Sequence, residues 1–183
     1  MRIARILYPV TTLGPGNRVG IWLAGCDRGC TGCMSEEMQD LNAGAELGMD
    51  QMKSVLSGYC AKADGFTISG GEPFLQAKGL NHLVQYLKKQ GVHDIIVYTG
   101  YMIDELKESK NPDISQILRG IAVLIDGAYI DGLNDGIGIR GSSNQRVHLL
   151  DPKNAALYAG LETGRRRLES IRYRGKILMV GVQ

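Results

Sequence analysis

The sequence predicts an α/β protein whose strands run mainly parallel. Three observations carry this. Short apolar runs alternate with stretches of helical periodicity, the pattern of βα units. Strand after strand ends in a glycine-containing turn: Gly25-Cys26, Gly70-Gly71-Glu72, Thr99-Gly100 and Asp126-Gly127. Glycine is also over-represented, at 25 of 183 residues, without the G-x-y period of collagen. Such an excess fits turns that take positive φ or approach another backbone closely.

The elements follow in order. Arg18 to Ala24 reads as a strand running into Gly25 and a cysteine-rich turn. Residues 48–63 read as a helix with Met52, Val55, Leu56, Tyr59, Cys60 and Ala63 on one face. Phe66 to Ser69 is a short strand. Residues 76–90 form a second helix, with Leu80, Leu83, Val84 and Leu87 on one side. Asp94 to Tyr98 and Ile121 to Ile125 are strands, separated by helical stretches at 102–109 and 113–119. Residues 128–145 are loop-like, rich in Gly, Asp, Asn and Ser. Ile171 to Tyr173, Arg174-Gly175, and Ile177 to Val180 read as a hairpin. In a parallel sheet the glycine turns all lie at the carboxyl ends of the strands, where such folds build their sites.

Length and composition fit one domain over residues 1–183, with a core at 6–148 and a C-terminal extension at 150–183. The longest apolar runs fall far short of a membrane span, and the start lacks a secretory apolar segment, so a cytoplasmic protein is expected. A net charge of +2 argues against direct nucleic-acid binding. The charge is uneven: residues 35–64 hold six acids and two bases, and residues 160–183 hold six bases and two acids. The two segments read as solvated faces or as a docking surface.

Three of the four cysteines lie within eight residues, spaced Cys26-x3-Cys30-x2-Cys33. In a reducing compartment, clustered cysteine signifies metal or redox work. Three close thiolates suit three corners of an iron–sulfur cube. A zinc site ordinarily takes four ligands, often in two pairs, and there is no second pair here. Cys60 falls on the apolar face of a helix and reads as a small buried hydrophobe. His82, His93 and His148 are scattered. The glycines of Gly25-Cys26-Asp27-Arg28-Gly29-Cys30-Thr31-Gly32-Cys33 let backbone amides wrap a cluster.

The cysteine spacing, together with Thr67-Ile68-Ser69-Gly70-Gly71-Glu72-Pro73, resembles the radical S-adenosylmethionine superfamily. Alone, Gly-Gly-Glu-Pro is an ordinary strand-to-helix turn. Tyr8-Pro9-Val10, Gly14-Pro15-Gly16-Asn17-Arg18, Tyr98-Thr99-Gly100-Tyr101, Leu124-Ile125-Asp126-Gly127 and Arg140-Gly141-Ser142-Ser143-Asn144-Gln145-Arg146 occur in the order seen in glycyl-radical enzyme activases. The likeness is to the activating proteins of anaerobic ribonucleotide reductase. Gly32, Met34-Ser35-Glu36-Glu37 and Tyr98 depart from the usual residues of that group.

The resemblance implies an incomplete (β/α) barrel of radical SAM type, since full closure needs about 250 residues. It implies a 4Fe-4S cluster held by Cys26, Cys30 and Cys33, with one iron open to S-adenosyl-L-methionine. Reductive cleavage would yield methionine and a 5′-deoxyadenosyl radical, which takes a hydrogen atom from a glycine α-carbon of a partner protein. Gly70, Gly71, Glu72, Thr99, Asp126 and Asn144 become candidate cofactor-binding residues. Asp126 also reads as a turn cap before Gly127, and Arg146 as a second polar candidate beside Asn144. With no further cysteine pairs, the electron would come from an external donor such as a flavodoxin. Three other readings remain: a small radical enzyme acting on another peptide or protein, an iron–sulfur electron-transfer module, and a zinc-stabilised scaffold.

Overall fold

The computed structural model describes residues 1–182. Its frame is a seven-stranded sheet in the order β3-β1-β2-β4-β5-β6-β7. Strands β2 (Arg18–Leu23), β4 (Gly65–Gly70), β5 (Ile95–Tyr98) and β6 (Val123–Asp126) are parallel neighbours. Strand β1 (Arg2–Val10) pairs antiparallel with β2 and with the short β3 (Ala45–Glu46). Strand β7 (Arg146–Leu149) pairs antiparallel with β6. The expected α/β class and parallel centre are found. The seven strands form an open mixed sheet with antiparallel strands at both flanks.

Helices α1 (Met49–Cys60), α2 (Ala77–Lys89), α3 (Ile103–Glu108) and α4 (Pro112–Gly120) cover one face. Alternation decides which strand residues meet them. Val19, Ile21 and Leu23 of β2 pack in the helix-side core with Leu80, Leu83 and Leu87 of α2. Trp22, between them, joins a second cluster with Leu7, Val10 and Leu13. All six residues of β2 are buried, as a central strand covered on both faces requires. Met52 and Leu56 of α1 are buried as expected, whereas Val55, expected on the same face, is exposed.

The opposite face is covered by the C-terminal extension. A short helix α5 (Ala155–Tyr158) and a separate hairpin, β8 (Leu168–Tyr173) with β9 (Lys176–Gly181), lie here. Val180 and Val182 complete the cluster around Trp22, and Tyr158 packs with Ile96, Val123 and Ile139. The hairpin turn falls at Arg174-Gly175, both at positive φ (47° and 77°), as a tight two-residue turn demands. Strands β1 and β7 carried no sequence expectation. Polar residues interrupt both, and pairing with β2 and β6 defines them. Among the described residues no helix is long and apolar enough to cross a membrane.

Candidate metal and cofactor site

The carboxyl ends of β2, β4, β5 and β6 open into one cleft of about 260 Å³. Cys26, Cys30 and Cys33 line it, and so do Gly70, Gly71, Glu72 and Thr99. The cysteine loop leaves β2 at Gly25, whose φ of 94° turns the chain out of the sheet. It is pinned there by Gly25 N to Met38 O (2.8 Å) and Cys26 N to Gln39 O (3.0 Å). Two amides donate to thiol sulfurs at 3.4 Å: Arg28 N to Cys26 Sγ and Ser35 N to Cys33 Sγ. Burial pushes the Cys26 thiol up, and the Arg28 amide opposes it. All four cysteines are free thiols. Among the described residues no three Cys, His, Asp or Glu side chains converge on a single-ion position. Thiolates that reach separate irons of a cube stay farther apart than ligands of one ion, so three cleft-facing thiols with amide donors fit a cluster.

The two glycines of the Gly-Gly-Glu turn line the cleft and are also required by backbone packing. A Cβ on Gly70 would meet Leu23 O at 2.3 Å, and one on Gly71 would meet Gly25 O at 2.2 Å. The turn is laced to the cysteine loop by Gly71 N to Leu23 O (2.8 Å) and Glu72 N to Gly25 O (2.7 Å). Any side chain here would push the two motifs apart.

Glu72 is 1% exposed. It accepts from Phe74 N (2.9 Å), Thr99 Oγ1 (2.8 Å) and Gly100 N (2.7 Å). It therefore ties the end of β4 to the end of β5. Thr99 Oγ1 in turn accepts from Tyr101 N. Burial pushes the Glu72 carboxyl above its ordinary value, and the donors from Phe74, Gly100 and Thr99 offset part of that. A raised folded pKa means the folded state binds more protons. By itself, this group makes the fold lose stability as pH rises from 4.5 through the raised value. Glu72→Gln is expected to lower the melting temperature at neutral pH, at a cost of about 1–3 kcal/mol. An amide cannot accept on both sides, so its NH2 would confront Phe74 N or Gly100 N. A rise in melting temperature would show that the carboxyl already carries a proton.

Two expected site residues are not brought to the cleft. Asp126 is fully buried beneath it. Its Oδ2 accepts from Ile103 N at 2.7 Å, at the start of α3, and lies 3.0 Å from His148 Nε2. Its Oδ1 accepts from Arg146 N at 3.3 Å. The carboxylate is spent on capping and on the β6–β7 edge, the turn-cap role its position before Gly127 also suggested. Asn144 is not among the residues lining the cleft, and its Nδ2 donates to Ala128 O at 2.8 Å. Its neighbour Gln145 reaches the cleft instead. Gln145 braces Gly127 O (2.6 Å) and Gly141 N (2.7 Å). Arg146 does not border the cleft. Cys60 is remote from it, donating Sγ to Leu56 O at 3.3 Å within α1.

Other cleft residues were not among the candidate site residues the sequence offered. Trp22 and Tyr98 form its floor, Trp22 with its ring folded over Gly20 and Tyr98 donating to Ile139 O at 2.7 Å. Residues 178–182 of the hairpin form a wall. Arg28 stacks on Tyr101, its guanidinium carbon 3.6 Å from the ring centroid. That contact holds the middle of the cysteine loop against the turn after β5.

Known proteins are similar to this chain in sequence. The profile of the family described as 4Fe-4S single cluster domain matches residues 12–148. The anaerobic ribonucleoside-triphosphate reductase-activating protein of Escherichia coli K12 is 35% identical over 151 residues, covering 78% of this chain and 96% of that protein. The protein of the same name from enterobacteria phage T4 is 30% identical, covering 77% and 90%. The pyruvate formate-lyase-activating enzyme of Clostridium pasteurianum is 29% identical, covering 64% and 48%. With three cysteines on one loop beside a Gly-Gly-Glu turn, and with a relative matched over nearly its whole length, this chain belongs to the family of anaerobic ribonucleoside-triphosphate reductase-activating proteins.

Proposed function

We propose that the chain activates an anaerobic ribonucleoside-triphosphate reductase by taking a hydrogen atom from the α-carbon of one glycine in that enzyme. One observation carries the reading: the three thiols and the Gly-Gly-Glu turn line the same cleft and are hydrogen-bonded to each other's backbone. Cys26, Cys30 and Cys33 would hold a 4Fe-4S cluster, and S-adenosyl-L-methionine would sit against Gly70 to Glu72. Bound there, cluster and cofactor supply the one-electron cleavage that yields methionine and the 5′-deoxyadenosyl radical.

The protein's own work is binding, orientation and shielding. The amides of Arg28 and Ser35 stabilise sulfur as thiolate, the form that binds metal. The Glu72–Thr99–Gly100 bonds hold the ends of β4 and β5 at a fixed separation. Trp22, Leu13 and Tyr98 give the cleft an apolar floor that excludes water from a reactive species. An external donor such as a flavodoxin supplies the electron, because Cys60 sits alone on a helix away from the loop.

Reconstituted anaerobically and given dithionite and S-adenosylmethionine, the chain is expected to form 5′-deoxyadenosine. With the reductase present, electron paramagnetic resonance should show a glycyl radical on that enzyme. Iron-loaded protein that never cleaves the cofactor overturns the reading. Cleavage without a radical on the reductase overturns the assigned substrate and points to another protein.

A further inference from the structure

We propose that Arg28 sets the reduction potential of the iron–sulfur site, its fixed charge stabilising the reduced form so that a weaker donor can supply the electron. The proposal rests on a cluster held by Cys26, Cys30 and Cys33. The step is a one-electron transfer: a reduced carrier is oxidised by one electron, and one further negative charge comes to lie beside the cysteine loop. Potentials of such sites follow the charge around them.

Arg28 is held in place. It stands between two of the three thiols in sequence, lines the cleft, and its own amide donates to Cys26 Sγ at 3.4 Å. Its guanidinium carbon lies 3.6 Å from the centroid of the Tyr101 ring. Gly100 leaves room for the stem, since a Cβ there would meet Arg28 Cγ at 2.9 Å. Tyr101 is fixed in turn, donating its hydroxyl to Asp27 Oδ2 at 3.0 Å. Stacking secures a guanidinium without occupying its N–H donors.

Those donors are not matched by the protein. Nε of Arg28 is buried with no hydrogen-bond partner among the described residues. The carboxylate oxygens in ion-pair range are Asp27 Oδ1 and Glu105 Oε2, each 4.0 Å away and too far for a hydrogen bond. Their side chains are 48% and 54% exposed, so water screens them and they cancel the Arg28 charge only in part. Glu72 faces the same place: burial pushes its carboxyl up, and the Arg28 charge is among the influences drawing it down. A buried donor on a cation is costly when left unpaired. An anionic group in the cleft offsets that cost, and three thiolates around iron and sulfide are such a group. The attraction is greater for the reduced form, which carries one more negative charge, and this difference raises the potential.

A reductive titration of the full, reconstituted chain, followed by electron paramagnetic resonance, tests this. In Arg28→Gln the ratio of reduced to oxidised cluster at a given donor potential is expected to fall about tenfold, or about 59 mV for one electron. Arg28→Lys keeps the charge and is expected to stay within about threefold of the unsubstituted chain. A merely structural role would alter iron content or melting temperature and leave the potential of the loaded fraction unmoved. Tyr101→Leu leaves the cysteine loop intact but removes the stack, and a fall of about threefold is expected from it. Should Arg28→Gln take up no iron, Tyr101→Leu decides, and an unchanged potential there overturns the proposal. So does an unchanged potential in loaded Arg28→Gln, or an equal fall in Arg28→Lys. Failure of the unsubstituted chain to form 5′-deoxyadenosine removes the activase reading and leaves the role of Arg28 standing, whereas a chain that binds no iron removes both.

Discussion

Cys30→Ala is expected to leave the anaerobically reconstituted protein colourless, with iron at background and no glycyl radical formed. Cys60→Ala is expected to remain brown, with iron and radical yield unchanged. The contrast follows from where the two thiols sit. Cys30 stands in the middle of a loop whose glycines, at φ of 57° and 73° for Gly29 and Gly32, bend the chain into the cleft. Its removal leaves two thiols for a cluster that needs at least three protein ligands to leave one iron for the cofactor. Cys60 closes α1, partly buried against the helix-side core, with its Sγ bonded to Leu56 O. Its truncation removes one small hydrophobe, at a cost of about 1 kcal/mol. Iron analysis, the visible spectrum and thermal denaturation read all of this. Loss of iron in Cys60→Ala would sink the ligand assignment.

Asp94→Ala is expected to cost about 3–5 kcal/mol, because it strands a buried guanidinium. Arg18 opens β2 with its side chain fully buried. Its Nη1 lies 2.7 Å from Asp94 Oδ2, and its Nη2 lies 3.2 Å from Asp94 Oδ1. Thr67 Oγ1 (2.8 Å) and Phe66 O (2.8 Å) of β4, and Pro15 O (3.1 Å), accept from its other N–H groups. Tyr158 of the extension donates to the same carboxylate. This network sits at the amino ends of the parallel strands, opposite the cleft, and clamps β2, β4, the entry to β5 and α5 together. For a chain of this length the loss corresponds to a fall in melting temperature of about 6–20 °C. Tyr158→Phe removes one neutral donor and leaves the ion pair, so its cost is expected near 1 kcal/mol. A calorimetric scan in which Asp94→Ala falls no further than Tyr158→Phe would show that Arg18 does not depend on the carboxylate.

Much of the parallel centre was legible because its code is local. The apolar run of β2 and the 3.6-residue stripe of α2 depend on residues a few positions apart. The cysteine spacing and the Gly-Gly-Glu turn are likewise contained in short stretches, and each has few chemical uses. The flanks were not legible. Arg2–Val10 mixes charged and apolar residues along its length, and becomes a strand by pairing with β2. Asp126 shows how much a local reading leaves open. An acid at a strand end suits a cofactor or a cap, and the positions of Ile103 N and His148 supply the cap.

The sequence by itself determined the thiol trio, the glycine turn beside it, and the parallel units that carry both to one end of the sheet. Tertiary structure alone decided what else faces that cleft: Trp22 and Tyr98 beneath it, Gln145 in place of Asn144, and a hairpin from the far end of the chain along its side. The physical reason is separation. Side-chain periodicity and turn chemistry act over a few residues. The contact between Glu169 and Thr11 spans 158 positions and exists only once the sheet has brought its ends together.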